Sequence, residues 1–117
     1  MVDLDSPQLD SVFHALGDPT RRIMLRELAE GERTVSNLAE PFAMSLAAAS
    51  KHIKVLENAG LVRREVRGRT HWCSLDAGPL GPASELLEQY QRFWTGRLDR
   101  LAALIERDNR KKESPND

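Results

Sequence analysis

The chain is short of cysteine and of long apolar runs. Its single cysteine, Cys73, cannot form a disulfide within the chain. No stretch approaches the ~20 consecutive apolar residues that a membrane-spanning helix needs. The first ten residues contain three aspartates and no basic residue, whereas a secretory signal starts with positive charge and continues into an apolar run. These absences predict a soluble, cytoplasmic protein with no membrane partner.

Catalytic motifs are missing as well. The sequence contains no glycine-rich phosphate loop, no nucleophile elbow and no histidine–glutamate pair at metalloprotease spacing. We therefore expect neither an enzyme nor a bound cofactor. With 117 residues, the chain is long enough for one domain and too short for two.

The charge is nearly balanced in total but not along the chain. Seventeen basic and 18 acidic residues give a net charge of −1, which at first argues against a nucleic-acid partner. However, residues 1–20 contain four acids and no base, while residues 44–74 contain six bases and two acids. The excess positive charge is therefore confined to one segment, and that distribution favours DNA as a partner.

Four helices are predicted in the first half of the chain. Ser6-Pro7 and Asp18-Pro19 each place a capping side chain before a proline, a combination typical of helix starts. Apolar residues then recur every three or four positions, as on the buried face of a helix. We expect the four helices at about residues 7–16, 19–30, 35–42 and 46–58.

After residue 60, the spacing of apolar residues changes from one typical of helices to one typical of strands. Residues 61–66 and 70–75 are predicted to form a β-hairpin around Gly68, and a long helix is expected over about residues 82–108. The predicted organisation is a disordered N-terminus (1–5), one domain (6–108) and a disordered tail (109–117).

The last predicted helix carries more apolar surface than so small a domain can cover. Its apolar residues form a stripe, which packs either on its own chain or on a second copy. We favour a homodimer, with the first helix contributing through Phe13. The residues expected at this interface are Phe13, Tyr90, Phe93, Trp94, Leu98, Leu101 and Ile105.

Two short helices followed by a hairpin are typical of a winged helix-turn-helix. We therefore predict a mainly α fold with a small β-hairpin (α+β), with five helices and a wing. On the fourth helix, Ala49, Ile53 and Leu56 share one face, which we expect to be buried. The opposite face has small residues that fit a major groove, followed by lysines that reach phosphates. These candidate DNA-binding residues are Ser45 at the helix start, Leu46, Ala47, Ser50, Lys51 and Lys54.

The predicted wing is rich in arginine. Arg67 and Arg69 flank Gly68 at its tip, where they suit the phosphate backbone or a narrow minor groove. The alternative is a charged sheet edge that prevents aggregation.

Six segments together resemble the ArsR-type winged-helix transcriptional repressors. They are residues 15–23 (ALGDPTRRI), 35–39 (VSNLA), 44–56 (MSLAAASKHIKVL), 59–62 (AGLV), Gly68-Arg69 and Phe93-Trp94. The resemblance implies a homodimer held by the first and last helices, which represses by occupying an inverted-repeat operator near its own promoter. It also implies that Ser45, Leu46, Ala47, Ser50, Lys51 and His52 face DNA, with Arg67 and Arg69 at the wing tip.

The chain departs from the family pattern at one DNA-facing position. Many members have glutamine where Leu46 stands, and glutamine reads adenine directly. Leu46 can make only apolar contact, for example with a thymine methyl group.

The residues of a sensor site are also missing. Metal-sensing members carry a Cys-Val-Cys segment where this chain has Thr34, Val35 and Ser36, and residues 82–117 contain no histidine or cysteine. We therefore predict no metal site. Cys73 is expected to fill space in the core, with a redox role as the alternative. A small-molecule effector is possible, but no residue set identifies one.

Two rival functions remain open at this point. One is a metal- or redox-responsive repressor on the same scaffold. The other is a winged-helix module that binds a protein partner rather than DNA.

Overall fold

The computed structural model has the predicted mainly α fold with a small antiparallel sheet. It describes the backbone of residues 3–113 and the side chains of residues 3–110. In chain order the elements are α1 (Pro7–Leu16), α2 (Pro19–Ala29), β1 (Arg33–Thr34), α3 (Val35–Ala39), α4 (Leu46–Asn58), β2 (Val62–Arg67), β3 (Thr70–Leu75) and α5 (Leu80–Glu113). The chain divides into two compact units between Ala83 and Ser84, inside α5.

Capping side chains fix the starts of the first four helices. The Ser6 hydroxyl accepts a hydrogen bond from the Leu9 N–H (3.2 Å), and the Ser45 hydroxyl accepts one from the Ala48 N–H (3.1 Å). Thr34 caps α3 in the same way. Asp18 accepts from two N–H groups at the start of α2, at 2.8 and 3.2 Å. These bonds satisfy donors that a helix start otherwise leaves unpaired, and they confirm the predicted starts.

The core of the first unit is built from α1–α4 and the sheet. The predicted inward face of α4 is confirmed, since Ala49, Ile53 and Leu56 are fully buried. Cys73 on β3 is also fully buried. The other large side chains that are almost completely buried are Val12, Met24, Leu38 and Leu61. This core fixes α4 by one face and leaves its other face to solvent.

The sheet has a third strand that the sequence did not predict. β3 lies in the centre, with β2 on one side and β1 on the other. In β1, Arg33 pairs with Cys73 and Thr34 pairs with Trp72. A two-residue strand has no alternating pattern of its own, so only its pairing partner reveals it. The wing is thereby anchored to the segment that leads into α3.

Two helix ends differ from the prediction. α3 ends at Ala39, because Pro41 cannot extend it, and a turn closed by the Phe42 N–H follows. α5 continues to Glu113 rather than ending near residue 108. Of the predicted disordered ends, residues 1–2 and 114–117 lie outside the described part of the chain. None of the helices within residues 3–113 is long and apolar enough to cross a membrane.

The Asp18 cap makes a testable, pH-dependent contribution to stability. Partial burial tends to raise the pKa of its carboxyl, but the N–H groups of Arg21 and Thr20 lower it below its usual value. Because the pKa is lower in the folded state, the charged carboxylate stabilises the fold at pH values above the unfolded-state pKa. This contribution is lost as the pH falls through the folded-state pKa. We expect Asp18→Ala to reduce the free energy of unfolding by about 1 kcal/mol at pH 7.

Asp18→Asn is the matched control, because asparagine still caps a helix but carries no charge. Urea unfolding across pH should show the wild type more stable than this variant at pH 7 and the difference disappearing in acid. A difference that stays constant down to pH 3 would contradict the role of the charge.

Candidate nucleic-acid interface

The outward face of α4 presents the side chains that the sequence predicted. Leu46, Ala47, Lys51 and Lys54 are exposed, and Ser50 is half-buried. These positions are spaced by one, three and four residues, so they share one face of the helix. Ser45 caps the same end. The predicted residues other than His52 therefore lie together on the solvent side of α4.

A groove runs between the start of α4, the start of α3 and the wing. Its volume is about 450 Å³. It is lined by Leu46, Ala47 and Ser50 of α4, by Thr34, Val35 and Ser36, and by Arg64, Arg69, Thr70 and His71 of the wing. The hydroxyl and imidazole groups from α3 and β3 were not among the predicted site residues. The pairing of β1 with β3 brings the start of α3 beside the wing.

The wing tip is a tight turn. Arg67 and Thr70 are the last paired residues of the hairpin, so Gly68 and Arg69 alone make the connection. Gly68 has a φ of 63°, in the left-handed region that glycine adopts without strain. Arg69 is exposed and lines the groove.

Arg67, the other predicted wing residue, is held by acidic side chains. Its guanidinium donates to both carboxylate oxygens of Glu32 (3.0 and 3.2 Å) and to Glu65 (2.9 Å). It also lies over the Trp72 ring, 5.4 Å from the centroid. The hydrogen bonds that Arg67 donates to Glu65 and Glu32 raise its pKa further above the usual value. Arg67 thus ties the wing to the turn after α2, and its charge is compensated.

His52 is drawn towards the interior of the unit. Its Nδ1 lies 3.2 Å from Nη1 of Arg21, a buried residue of α2. A guanidinium can only donate, so Nδ1 is the acceptor and the imidazole proton is on Nε2. Arg21 also donates to the main-chain oxygens of Ala15 (2.8 Å) and His14 (3.0 Å) at the end of α1. It therefore links α1, α2 and α4, a role that the sequence did not reveal.

Ion pairing separates the basic residues of this surface into two groups. Arg63 pairs with Asp76 and Arg64 with Glu57, at 2.9 and 2.7 Å. Within the described part of the chain, Lys51, Lys54 and Arg69 form no ion pair. These three cations lie on α4 and the wing tip. They form the uncompensated positive charge available to a polyanion.

The second unit, described by itself, presents an exposed apolar stripe on α5. Every predicted α5 interface residue is more than half exposed. They are Tyr90 (52%), Phe93 (51%), Trp94 (58%), Leu98 (60%), Leu101 (53%) and Ile105 (52%). The Phe93 and Trp94 rings meet edge to face at 5.8 Å, and Arg97 lies over the Phe93 ring. Phe13, on α1, is half-buried.

Sensor chemistry has little support in the described residues. Among the side chains of residues 3–110, no three His, Cys, Asp or Glu residues come close enough to hold a metal ion. The Cys73 thiol is fully buried, and burial raises its pKa. A raised pKa disfavours the reactive thiolate, which supports the core-filling interpretation of Cys73.

Comparisons with known proteins agree with this geometry. Residues 16–65 match the family model described as a helix-turn-helix domain. The HTH-type transcriptional regulator Rv2034 of Mycobacterium tuberculosis is 39% identical over 97 residues, which cover 83% of this chain and 88% of that protein. The crystal structure of the ArsR family transcriptional regulator RHA00566 is also 39% identical and superposes with a TM-score of 0.75. The superposed region covers 81% of this chain and 97% of the RHA00566 chain.

The chain belongs to the ArsR family. A further relative, the transcriptional repressor SdpR of Bacillus subtilis, is 34% identical over 68 residues, 58% of this chain and 76% of that protein. Membership confirms the winged helix-turn-helix fold and the predicted resemblance. ArsR family proteins are DNA-binding transcriptional regulators rather than enzymes, so this chain is a DNA-binding transcriptional regulator.

The Glu32–Arg67 pair yields a prediction about the wing. Glu32→Gln removes one of the two carboxylates that hold Arg67, so the guanidinium becomes more available to a DNA phosphate. We expect tighter DNA binding and a steeper decrease of affinity with salt. The slope of log affinity against log salt concentration should steepen by up to about one unit for each additional phosphate bound. Fluorescence anisotropy over a range of salt concentrations measures both.

Glu30→Gln is the control, since Glu30 pairs with Arg33 rather than with the wing. Thermal unfolding should change little in either variant, because half-exposed ion pairs contribute at most about 1 kcal/mol. Unchanged affinity and slope in Glu32→Gln would mean that Arg67 does not contact DNA when released.

Proposed function

We propose that this ArsR family regulator is a homodimeric repressor that occupies an inverted-repeat operator near its own promoter. Each subunit inserts α4 into a major groove and places the wing tip on the flanking backbone. The operator half-sites are then about one helical turn apart, or ~34 Å. The observation that carries the proposal is the group of three uncompensated cations on α4 and the wing tip.

The proposed DNA-binding residues differ in what they contribute. Lys51, Lys54 and Arg69 supply attraction to phosphates. Ser45, Leu46, Ala47 and Ser50 are small or apolar, so they let the start of α4 come close to the base edges. His52 lies inward against Arg21, so in our proposal it acts by holding α4 in place, while Arg67 contributes only once its acidic partners release it. The free cations also favour DNA over a protein as the occupant of this surface.

The apolar stripe on α5 supports the homodimer. A row of large apolar side chains that are more than half exposed is costly in water, and a second copy offers an identical row. Two copies also match an inverted repeat, because the two-fold axis of the dimer coincides with that of the DNA. Repression follows if the operator overlaps the site where transcription starts. The name of SdpR, a transcriptional repressor, is consistent with this direction of regulation.

Charge removal on α4 and the wing tests the DNA interface. Lys51→Ala and Arg69→Ala should each weaken binding to the upstream DNA. Each should also reduce the log–log salt slope by about one unit for every phosphate that is no longer bound, or about two per dimer. Mobility shift and anisotropy at several salt concentrations provide the data.

Arg26→Ala is the matched control, because Arg26 is an exposed cation of α2 and belongs to neither α4 nor the wing. It should retain the wild-type slope. If Arg26→Ala reduces the slope as much as Arg69→Ala, the DNA lies on another face of the unit.

Charge insertion on α5 tests the homodimer. Leu101→Glu places a carboxylate in the apolar stripe, so it should convert the dimer to a 13.2 kDa monomer. DNA binding should weaken in parallel, because a monomer contacts one half-site. Light scattering after gel filtration measures the mass.

Ala103→Glu adds the same charge two residues away, on the opposite side of the helix. This control should remain dimeric and bind DNA as the wild type does. A monomeric wild type, or a dimeric Leu101→Glu variant, would contradict an interface built on the α5 stripe.

A further inference from the structure

The first four residues of α4 have no side chain that can hydrogen-bond to a base. Residues 46–49 are Leu-Ala-Ala-Ala. The capping residue Ser45 accepts from the Ala48 N–H, which leaves only its O–H to donate to a base. In a helix-turn-helix, the N-terminal residues of the recognition helix contact the base edges. On this chain those contacts must therefore be largely apolar.

Leu46 is the one large side chain in this turn, and it points to solvent. It is the first residue of α4 and is 57% exposed. It lines the 450 Å³ groove together with Ala47 and Ser50. An exposed leucine beside small residues contributes little to the core and offers apolar surface to an occupant of the groove.

The charges around Leu46 identify the occupant. Arg69 lies across the groove, and Lys51 is exposed five residues further along α4. An apolar peptide gains nothing from such a setting, whereas DNA presents phosphates to the cations and base edges to α4. In the major groove, the apolar group of an unmodified base pair is the C5-methyl of thymine.

We infer that Leu46 is a specificity-determining residue that reads the C5-methyl group of a thymine in each half-site. Ala47 and Ser50 leave room for α4 to approach this methyl, and Lys51 and Arg69 hold the flanking phosphates. Sequence preference at this position then comes from burial of a methyl group rather than from a donor–acceptor pattern. This inference rests on the proposed DNA interface.

Deoxyuridine provides the probe, since it pairs as thymine does but lacks the C5-methyl. Binding sites are first selected by the protein from a random pool of duplexes. Each thymine of the selected half-site is then replaced by deoxyuridine in both half-sites, and Kd is measured by anisotropy. For wild type, one position should raise Kd about tenfold, because each half-site loses the burial of one methyl, about three- to fourfold. The other positions should change Kd little.

Leu46→Ala should bind more weakly and should no longer distinguish thymine from deoxyuridine at that position. Leu46→Met, which keeps an apolar side chain of similar size, should retain the discrimination. Because position 46 is exposed and alanine is a strong helix former, circular dichroism should show both variants folded.

The outcomes separate this inference from the function on which it rests. Selection of a specific site with no deoxyuridine-sensitive position would overturn the role of Leu46 and leave the DNA interface intact. If Leu46→Ala still distinguishes thymine from deoxyuridine, another residue makes the methyl contact, and the role of Leu46 is overturned as well. Failure to select any site would overturn the proposed function itself. Unchanged DNA affinity in Leu46→Ala would show that Leu46 makes no contact with DNA, which would overturn the inference and leave the DNA interface intact.

Discussion

The buried guanidinium of Arg21 is the contact on which the arrangement of the DNA-binding unit depends. It donates to the Ala15 and His14 oxygens at the end of α1 and lies against Nδ1 of His52 on α4. Asp18, which caps α2, lies 3.9 Å away and offsets part of its charge. The Arg21 side chain, which belongs to α2, thus binds main-chain oxygens at the end of α1 and fixes the rotation of α4. In our proposal the opposite face of α4 meets DNA, so this buried contact determines which side chains are presented to it.

Charge compensation explains why only part of the basic segment is available to DNA. Arg63, Arg64 and Arg67 all pair with carboxylates and hold the wing in place. Of the uncompensated cations, Arg69 lines the groove, and Lys51 and Lys54 are exposed further along α4, beyond its small and apolar start. Affinity and sequence preference therefore come from different groups in our account: phosphates are bound by a few cations, and bases by shape and methyl contact.

The sequence predicted the features that depend on local chemistry. Capping residues, prolines and the apolar period place α1, α2 and α4 correctly, and Gly68 indicates the wing turn. It did not predict contacts between distant segments, such as Arg21–His52 or Arg67–Glu32, because no local pattern specifies the partner of a polar side chain. β1 was missed for the same reason, since two residues become a strand only when β3 pairs with them. Consequently the surface of α4 was predicted well, whereas the inward position of His52 and the paired state of Arg67 were not.

The most direct test of the account is an amide chemical-shift titration of the regulator with its selected DNA duplex. We expect the largest shifts at residues 45–54 on α4 and at residues 67–71 on the wing, with small shifts along α2. The indole N–H of Trp94 should keep its position, because α5 lies at the dimer interface in our proposal. Large shifts along α2 with little change on α4 and the wing would contradict the account.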